Sequence, residues 1–308
     1  MNGIERAKDL FTSAGVPMLE KLFPEYLDKI ACGIAGRGSE CFGFDDEISR
    51  DHDFEDGFCL WITPETDAEI GFKLHRAYRE LAGSFPRRES ARSLYGSANK
   101  GVMIIDDFYR RRLGFPGAPE CWQQWLYTPE YAFAEAVNGE VFRDEYGKFT
   151  EIRQKILSGI PEDVWKKKVA ARAVLMAQSG QYNFARCLRH GERGAAMLAL
   201  GDFVRHSASM VFLLNRRFAP YWKWALRAMK KLPRHSNIAN ELEELLLSGK
   251  SDGEKIALIE KISLQIADHL RETGISSTTE SYLEAHAVEI NEKITSREIR
   301  ELHLMDGA

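Results

Sequence analysis

The sequence predicts an α+β protein, with a small mixed sheet and helices over residues 1–145 and a helical bundle over 146–308. Three observations carry this. Up to about residue 145, short apolar runs alternate with glycine and proline punctuation; beyond it the apolar spacing is almost wholly helical. A third is composition: 44% of the 308 residues are apolar and 29% charged, the balance of a globular chain able to bury a core. That excludes a disordered tail, a collagen-like fibre and a small disulfide scaffold.

Residues 4–11 and 16–23 have helical spacing. Residues 29–36 (KIACGIAG) form a short apolar run ending in glycines, which fits a buried strand. Residues 57–62 (GFCLWI) are a second strand, stopped by Pro64. Over 65–81, Ile70, Leu74, Ala77, Tyr78 and Leu81 share one helical face. Residues 101–105 (GVMII) make a third strand, and a short fourth, 140–142, follows the Asn138-Gly139 turn. From about Tyr146 to Thr273 the pattern is helical, broken at Ser179-Gly180, His190-Gly191, Ala219-Pro220, Leu232-Pro233 and Ser248-Gly249. Helices of these lengths with short turns predict an antiparallel bundle, and the domain junction falls near 144–150. The tail after Gly274 is polar.

The five cysteines (Cys32, Cys41, Cys59, Cys121, Cys187) are odd in number and contain no C-x-x-C pair. Neither a zinc ribbon nor a redox motif is indicated; reduced thiols and a cytoplasmic location are expected. The first residues carry charges where a signal peptide has its apolar core, and no uncharged apolar run approaches the ~18 residues of a membrane helix.

Charge is unevenly distributed. Residues 165–240 hold 15 Lys and Arg against two acids, Glu192 and Asp202. The stretch is +13 and leaves −17 for the rest of the chain. Such asymmetry suggests that the basic part meets an anion, or the acidic part, or both.

One motif is sharp. Gly36-Arg37-Gly38-Ser39-Glu40 follows the first strand, and Asp51-His52-Asp53 precedes the second. In extended chain, residues two apart project together, so Asp51 and Asp53 form a hard-oxygen pair suited to Mg²⁺. His52 points the other way and reads as a packing residue. The Gly38-Ser39 pair at a strand-to-helix turn offers backbone N–H groups and a hydroxyl where phosphate is favoured. Together these are the parts nucleotidyl transfer needs: metals that neutralise a triphosphate, align an attacking hydroxyl and stabilise departing pyrophosphate.

This arrangement resembles the polymerase-β-like nucleotidyltransferase superfamily, whose signature is a Gly-Ser turn, roughly ten residues, then Asp-x-Asp on a strand. The resemblance is closer to a bacterial family of unknown function, domain of unknown function 4037. It is carried by residues 38–54 (GSECFGFDDEISRDHDF), by Gln181-Tyr182-Asn183-Phe184-Ala185-Arg186-Cys187 and by residues 213–224 (LLNRRFAPYWKW). By this resemblance Gly38 and Ser39 hold nucleotide phosphates, Asp51 and Asp53 carry two Mg²⁺ ions, and an NTP such as ATP is co-substrate. It also implies a third carboxylate on a neighbouring strand. The interior of 101–105 has no acid, so Asp106 is the first candidate, with Asp107 and Glu69 behind it; the structural alternative for Asp106 is a helix cap. The acids Asp45-Asp46-Glu47 add a metal ligand or form a solvated loop. Arg50 touches a phosphate or clamps Asp46.

In the helical half, Tyr182, Arg186 and Arg189 share a face, as do Asp202, His206 and Ser209. The expectation is that Arg186 and Lys223 contact the triphosphate or an anionic acceptor, with Tyr182 and Asn215 adding hydrogen bonds. The alternative is a buried network of Asn215, Asp202 and Arg186 tying helices together. Trp222 and Trp224 read as core rather than as base-stacking platforms. The function expected is transfer of an NMP to a hydroxyl or phosphate of a small acceptor, without membrane association. An RNA-directed enzyme is a second reading, and a non-catalytic nucleotide-binding or antitoxin-like member a third.

Overall fold

The computed structural model describes residues 1–46, 56–85 and 100–308. The fold is α+β. Four short strands, β1 (Ala31–Ile34), β2 (Cys59–Ile62), β3 (Gly101–Ile104) and β4 (Glu140–Arg143), form one mixed sheet in the order β3-β2-β1-β4. β1 runs antiparallel to β2, with Ala31 opposite Trp61 and Gly33 opposite Cys59. β4 is antiparallel to β1, and β3 is parallel to β2.

Two compact units divide the chain, Met1–Glu120 with Ala132–Ser158 and Cys121–Tyr131 with Gly159–Ala308. In the first, Asn2 and Glu5 close a reciprocal cap on α1 (Gly3–Leu10). The chain continues through a wide turn, Phe11–Gly15, into α2 (Val16–Leu22). After β2, Thr63 caps α3 (Pro64–Thr66), which leads through Asp67–Gly71 into α4 (Phe72–Ala82). The 65–81 periodicity is thus realised as one helical run. β2 is buried along its whole length, which is why it reads as an unbroken apolar run instead of an alternating one. Leu60 and Ile62 join Phe11, Leu19, Phe58 and Leu74 in one core. Trp61 stacks at 3.9 Å on Phe149 of α8 (Lys148–Leu157) and meets Phe108 of α5 (Ile105–Leu113) edge-on.

The second unit is a helical assembly. It holds the short α6 (Trp122–Tyr127) and the start of α7 (Glu130–Val137). The longer elements are α9 (Glu162–Met176), α10 (Ala185–Arg189), α11 (Arg193–Leu214), α12 (Trp222–Met229), α13 (Asn237–Leu247) and α14 (Asp252–Glu272). The break expected at Ser179-Gly180 is absent. Helical turns continue through Ala177–Phe184 and join α9 to α10. Gly180 serves a different end: a Cβ there would overlap the Phe203 ring, so the glycine permits close approach of α11. The polar tail is folded. α15 (Leu283–Glu292) buries Leu283, Ala287 and Ile290 in the helical core, and α16 (Arg297–Arg300) buries Ile299. Glu289 accepts from the amides of Ser277 and Thr278, and Lys293 beside it, with Ser276 and Ser277, holds its carboxyl well below the usual range.

α11 is long and apolar enough to cross a membrane; here Phe203, Met210, Val211 and Leu213 are buried in the helical core.

The +13 stretch meets many of its anions within its own unit. Arg216 pairs with Glu162, Arg193 with Asp252, and Lys230 with Glu243. The deepest case is Glu130. Lys168 lies 3.5 Å and Arg172 3.3 Å from its carboxylate, and Ser209 donates to it at 2.6 Å. Burial pushes that carboxyl up, but Arg172, Lys168 and Ser209 outweigh it and hold it below the usual value. His206 sits 3.1 Å from Arg172; burial first, then the cation, lower its pKa to about 4.

Candidate functional site

The sheet topology fixes which residues share an end. The chain leaves β1 after Ile34 and enters β2 at Cys59, and Gly33 is opposite Cys59. Gly101 is opposite Cys59 in turn. The end of β1, the start of β2 and the start of β3 therefore lie together. The Gly36-Arg37-Gly38-Ser39 turn emerges at this end.

The turn is held from outside its own sequence. The Asn138 amide accepts from the Gly36 amide at 2.8 Å and donates to the Gly36 carbonyl at 2.7 Å. Gly139 donates to the Cys41 carbonyl at 2.8 Å. Gly36 and Gly38 have φ of 120° and 118°, a region that side chains avoid. A Cβ at Gly36 would overlap Arg112 Nη2, and one at Gly38 would overlap the Glu40 carboxylate. Among the described residues, the amides of Arg37, Gly38, Ser39 and Glu40 donate to no partner. Four consecutive N–H groups at a glycine turn are the backbone geometry an anion uses. The helix expected after Ser39 is only a single turn, Glu40–Phe42, so a long helix dipole does not contribute. Ser39 itself is buried.

Charged side chains ring this turn. Arg37 reaches Glu135 at 3.4 Å, and Lys100 reaches Glu40 at 3.5 Å with both groups nearly buried. Arg112 comes from the last turn of α5. Its Nη1 donates to the Phe108 carbonyl at 2.8 Å, and the guanidinium stacks 3.7 Å from the Phe108 ring centre. Burial lowers its pKa. Burial also raises Glu135 despite Arg37 and Arg112, and raises the Cys41 and Cys59 thiols, the latter to about 11.

Among the predicted site residues, Arg50, Asp51 and Asp53 lie outside the described residues, as do Glu47 and His52. Asp45 is described. Both its carboxylate oxygens are buried and lack a hydrogen-bond partner, and the bond from the Phe44 amide to the Ser39 carbonyl, 2.9 Å, ties it to the turn. Oxygen donors without a protein partner suit a hard cation. Among the described residues no group of three or more His, Cys, Asp or Glu side chains is placed to hold a metal.

Asp106 is elsewhere. β3 runs parallel to β2, so Ile104 lies opposite Ile62 at the other end of the sheet, about 10 Å from the turn end at 3.3 Å per residue. Asp106 sits just beyond, in the first turn of α5, whose cap position is Ile104; it is neither at the turn nor the helix cap. Asp107 pairs with Arg110 at 2.6 Å, and Glu69 hydrogen-bonds Tyr26. Helix α5 then runs back, and seven residues at 1.5 Å each return Arg112 to Gly36. Sequence reading missed Arg112, Glu135 and Asn138 because nothing local links them to the turn.

In the helical unit, Arg186 lies over the Tyr182 ring at 5.5 Å, and Lys223 over Trp224 at 4.4 Å. Asn215 bonds the Val211 carbonyl and both backbone polar groups of Arg234, so its amide closes a turn. Asp202 pairs with exposed Arg205, so the imagined Asn215, Asp202 and Arg186 network does not form. His206 and Ser209, which share its face, are the ones that reach the Glu130 cluster. Trp222 is 68% exposed, unlike the core residue its spacing suggests.

No curated protein matches the chain. A solved structure, a nucleotidyltransferase-like protein from Exiguobacterium sibiricum 255-15, is similar with a TM-score of 0.36 and 13% identity, over 90% of this chain and 88% of that one. The family model of a domain of unknown function, DUF4037, matches residues 125–225. That match contains the Gln181 to Cys187 and 213–224 segments but not residues 38–54. The DUF4037 match thus covers about a third of this chain, from within α6 to within α12 with β4 included.

Proposed function

We propose that this protein is a Mg²⁺-dependent nucleotidyltransferase that moves an NMP from an NTP, such as ATP, to a hydroxyl or phosphate of a small acceptor. The observation that carries the reading is the turn after β1: two glycines at positive φ, four amides that donate to none of the described residues and three cations, followed in sequence by Asp51-His52-Asp53 on the approach to the adjacent strand. In this reading the amides of residues 37–40 and Ser39 hold triphosphate oxygens. Asp51 and Asp53 would hold the metal, with Asp45 a further oxygen donor. Mg²⁺, when bound, neutralises the triphosphate and favours pyrophosphate as leaving group.

One observation favours a second reading, a nucleotide-binding protein with slow or no turnover: the expected third carboxylate, Asp106, leaves β3 at the far end of the sheet.

Thermal melting with each NTP, with and without Mg²⁺, tests the binding claim on wild type and Asp53→Asn. At ~100 times Kd a ligand stabilises by about 2.7 kcal/mol, and the shift should need Mg²⁺ and vanish in the variant. No shift with any nucleotide would sink the proposal. Pyrophosphate release on addition of acceptor mixtures separates the catalytic reading from the binding-only one.

A further inference from the structure

The charges around the Gly36 to Ser39 turn do not balance in the same way. Arg37 has Glu135, and Lys100 has Glu40. Arg112 has no carboxylate within ion-pair distance among the described residues, and its buried Nε has no hydrogen-bond partner. What it has is one backbone carbonyl and the face of Phe108. A largely buried guanidinium with five donors that donates one hydrogen bond is unfavourable, because desolvation is not offset by a counter-ion. It also lies directly against Gly36, on the strand-end side of the four amides of residues 37–40.

We propose that Arg112 is the counter-ion of the polyphosphate held at this turn, and so a binding residue that the sequence motif does not contain. The proposal rests on the nucleotide reading above and deepens it. A phosphoryl oxygen accepting from the guanidinium fork supplies both the missing charge and the missing acceptor, a geometry Arg meets and Lys does not. Gly36 is then glycine for two reasons: its φ, and the space its absent Cβ leaves for the Arg112 fork.

The idea separates from a purely structural role by the sign of one effect. If Arg112 only braces α5, removing it lowers stability and leaves ligand affinity unchanged. If it waits for an anion, Arg112→Gln melts at or above the wild-type temperature without ligand. The probe is inorganic tripolyphosphate, followed by isothermal titration and melting on wild type, Arg112→Gln and Arg112→Lys. The expected result is binding by wild type, at least a tenfold weaker Kd in Arg112→Gln and a smaller loss in Arg112→Lys. Wild-type affinity in Arg112→Gln overturns the proposal. Should Arg112→Gln fail to fold, the unliganded-stability claim is refuted, and unchanged affinity in Arg112→Lys refutes the fork. Wild type binding Mg²⁺-NTP but not tripolyphosphate overturns the Arg112 assignment while the nucleotide reading stands. Wild type binding neither brings both down.

Discussion

The Glu130 cluster gives the sharpest stability prediction. Its carboxylate is 7% exposed and faces two cations, Lys168 at 3.5 Å and Arg172 at 3.3 Å, with Ser209 donating at 2.6 Å. Lys168 is itself buried. Glu130→Gln keeps the volume and an oxygen for Ser209 but removes the charge between buried Lys168 and partly buried Arg172. Breaking a buried pair by deleting one partner costs about 3–5 kcal/mol, since the remaining charge is stranded. For a unit of this size each kcal/mol lowers Tm by roughly 2–4 °C, so the fall should be about 6–20 °C. Urea unfolding followed by tryptophan fluorescence reads it well, because Trp125 and Trp165 are buried in the same unit. Adding Lys168→Met to Glu130→Gln should recover part of the loss, since one stranded charge goes with it. A Glu130→Gln protein within about 1 kcal/mol of wild type would refute the reasoning and class the cluster with surface pairs. The pH dependence follows in sign. The folded carboxyl lies below its unfolded value, so its contribution is full at neutral pH and is lost as pH falls through the folded pKa.

Two further outcomes concern the helical unit. Gly180→Ala should destabilise by about 1–3 kcal/mol from overpacking against Phe203, although alanine is the better helix former by ~1 kcal/mol; a stabilised variant in calorimetry would contradict the close-approach role. His206 and His269 are held near pKa 4, below the ordinary 6.5 and mainly by burial. The unfolded chain therefore takes up protons that the folded one does not, and stability should fall as pH drops from about 6.5 to about 4. His269→Gln, which retains a hydrogen-bonding group beside His235, should flatten that slope; an unchanged slope would refute it.

Much of the architecture was legible because short apolar runs bounded by glycine or proline leave few alternatives. β1, β2, β3 and β4 lie within or against the stretches read as strands. What the run lengths do not carry is direction. The parallel pairing of β3 with β2 sends Asp106 away and brings Arg112 back, and no local pattern distinguishes that from an antiparallel neighbour. Gly180 misled for a related reason: a glycine signals a break only if nothing packs on it, and Phe203 does. Charge counting found the basic stretch and the acidic remainder that answers part of it, but not which acids: Glu130, Glu162, Glu243 and Asp252 are selected by the packing of the helices. The Gly38-Ser39 turn was readable because its demands are local; Asn138, a hundred residues on, was not.

That distance has a consequence for how the chain is made. Half of the pairing of β1 comes from β4, with Cys32 opposite Arg143 and Ile34 opposite Glu140, and Gly36 takes both of its side-chain bonds from Asn138. A ribosome adds roughly 5–20 residues each second, so β1 and its glycine turn wait on the order of 5–20 s for the segment that completes them. Through that interval an apolar strand edge stands open beside buried cysteines, the condition in which nascent chains aggregate. A slow patch in translation before residue 138 would lengthen that exposure, and one after residue 143 would not.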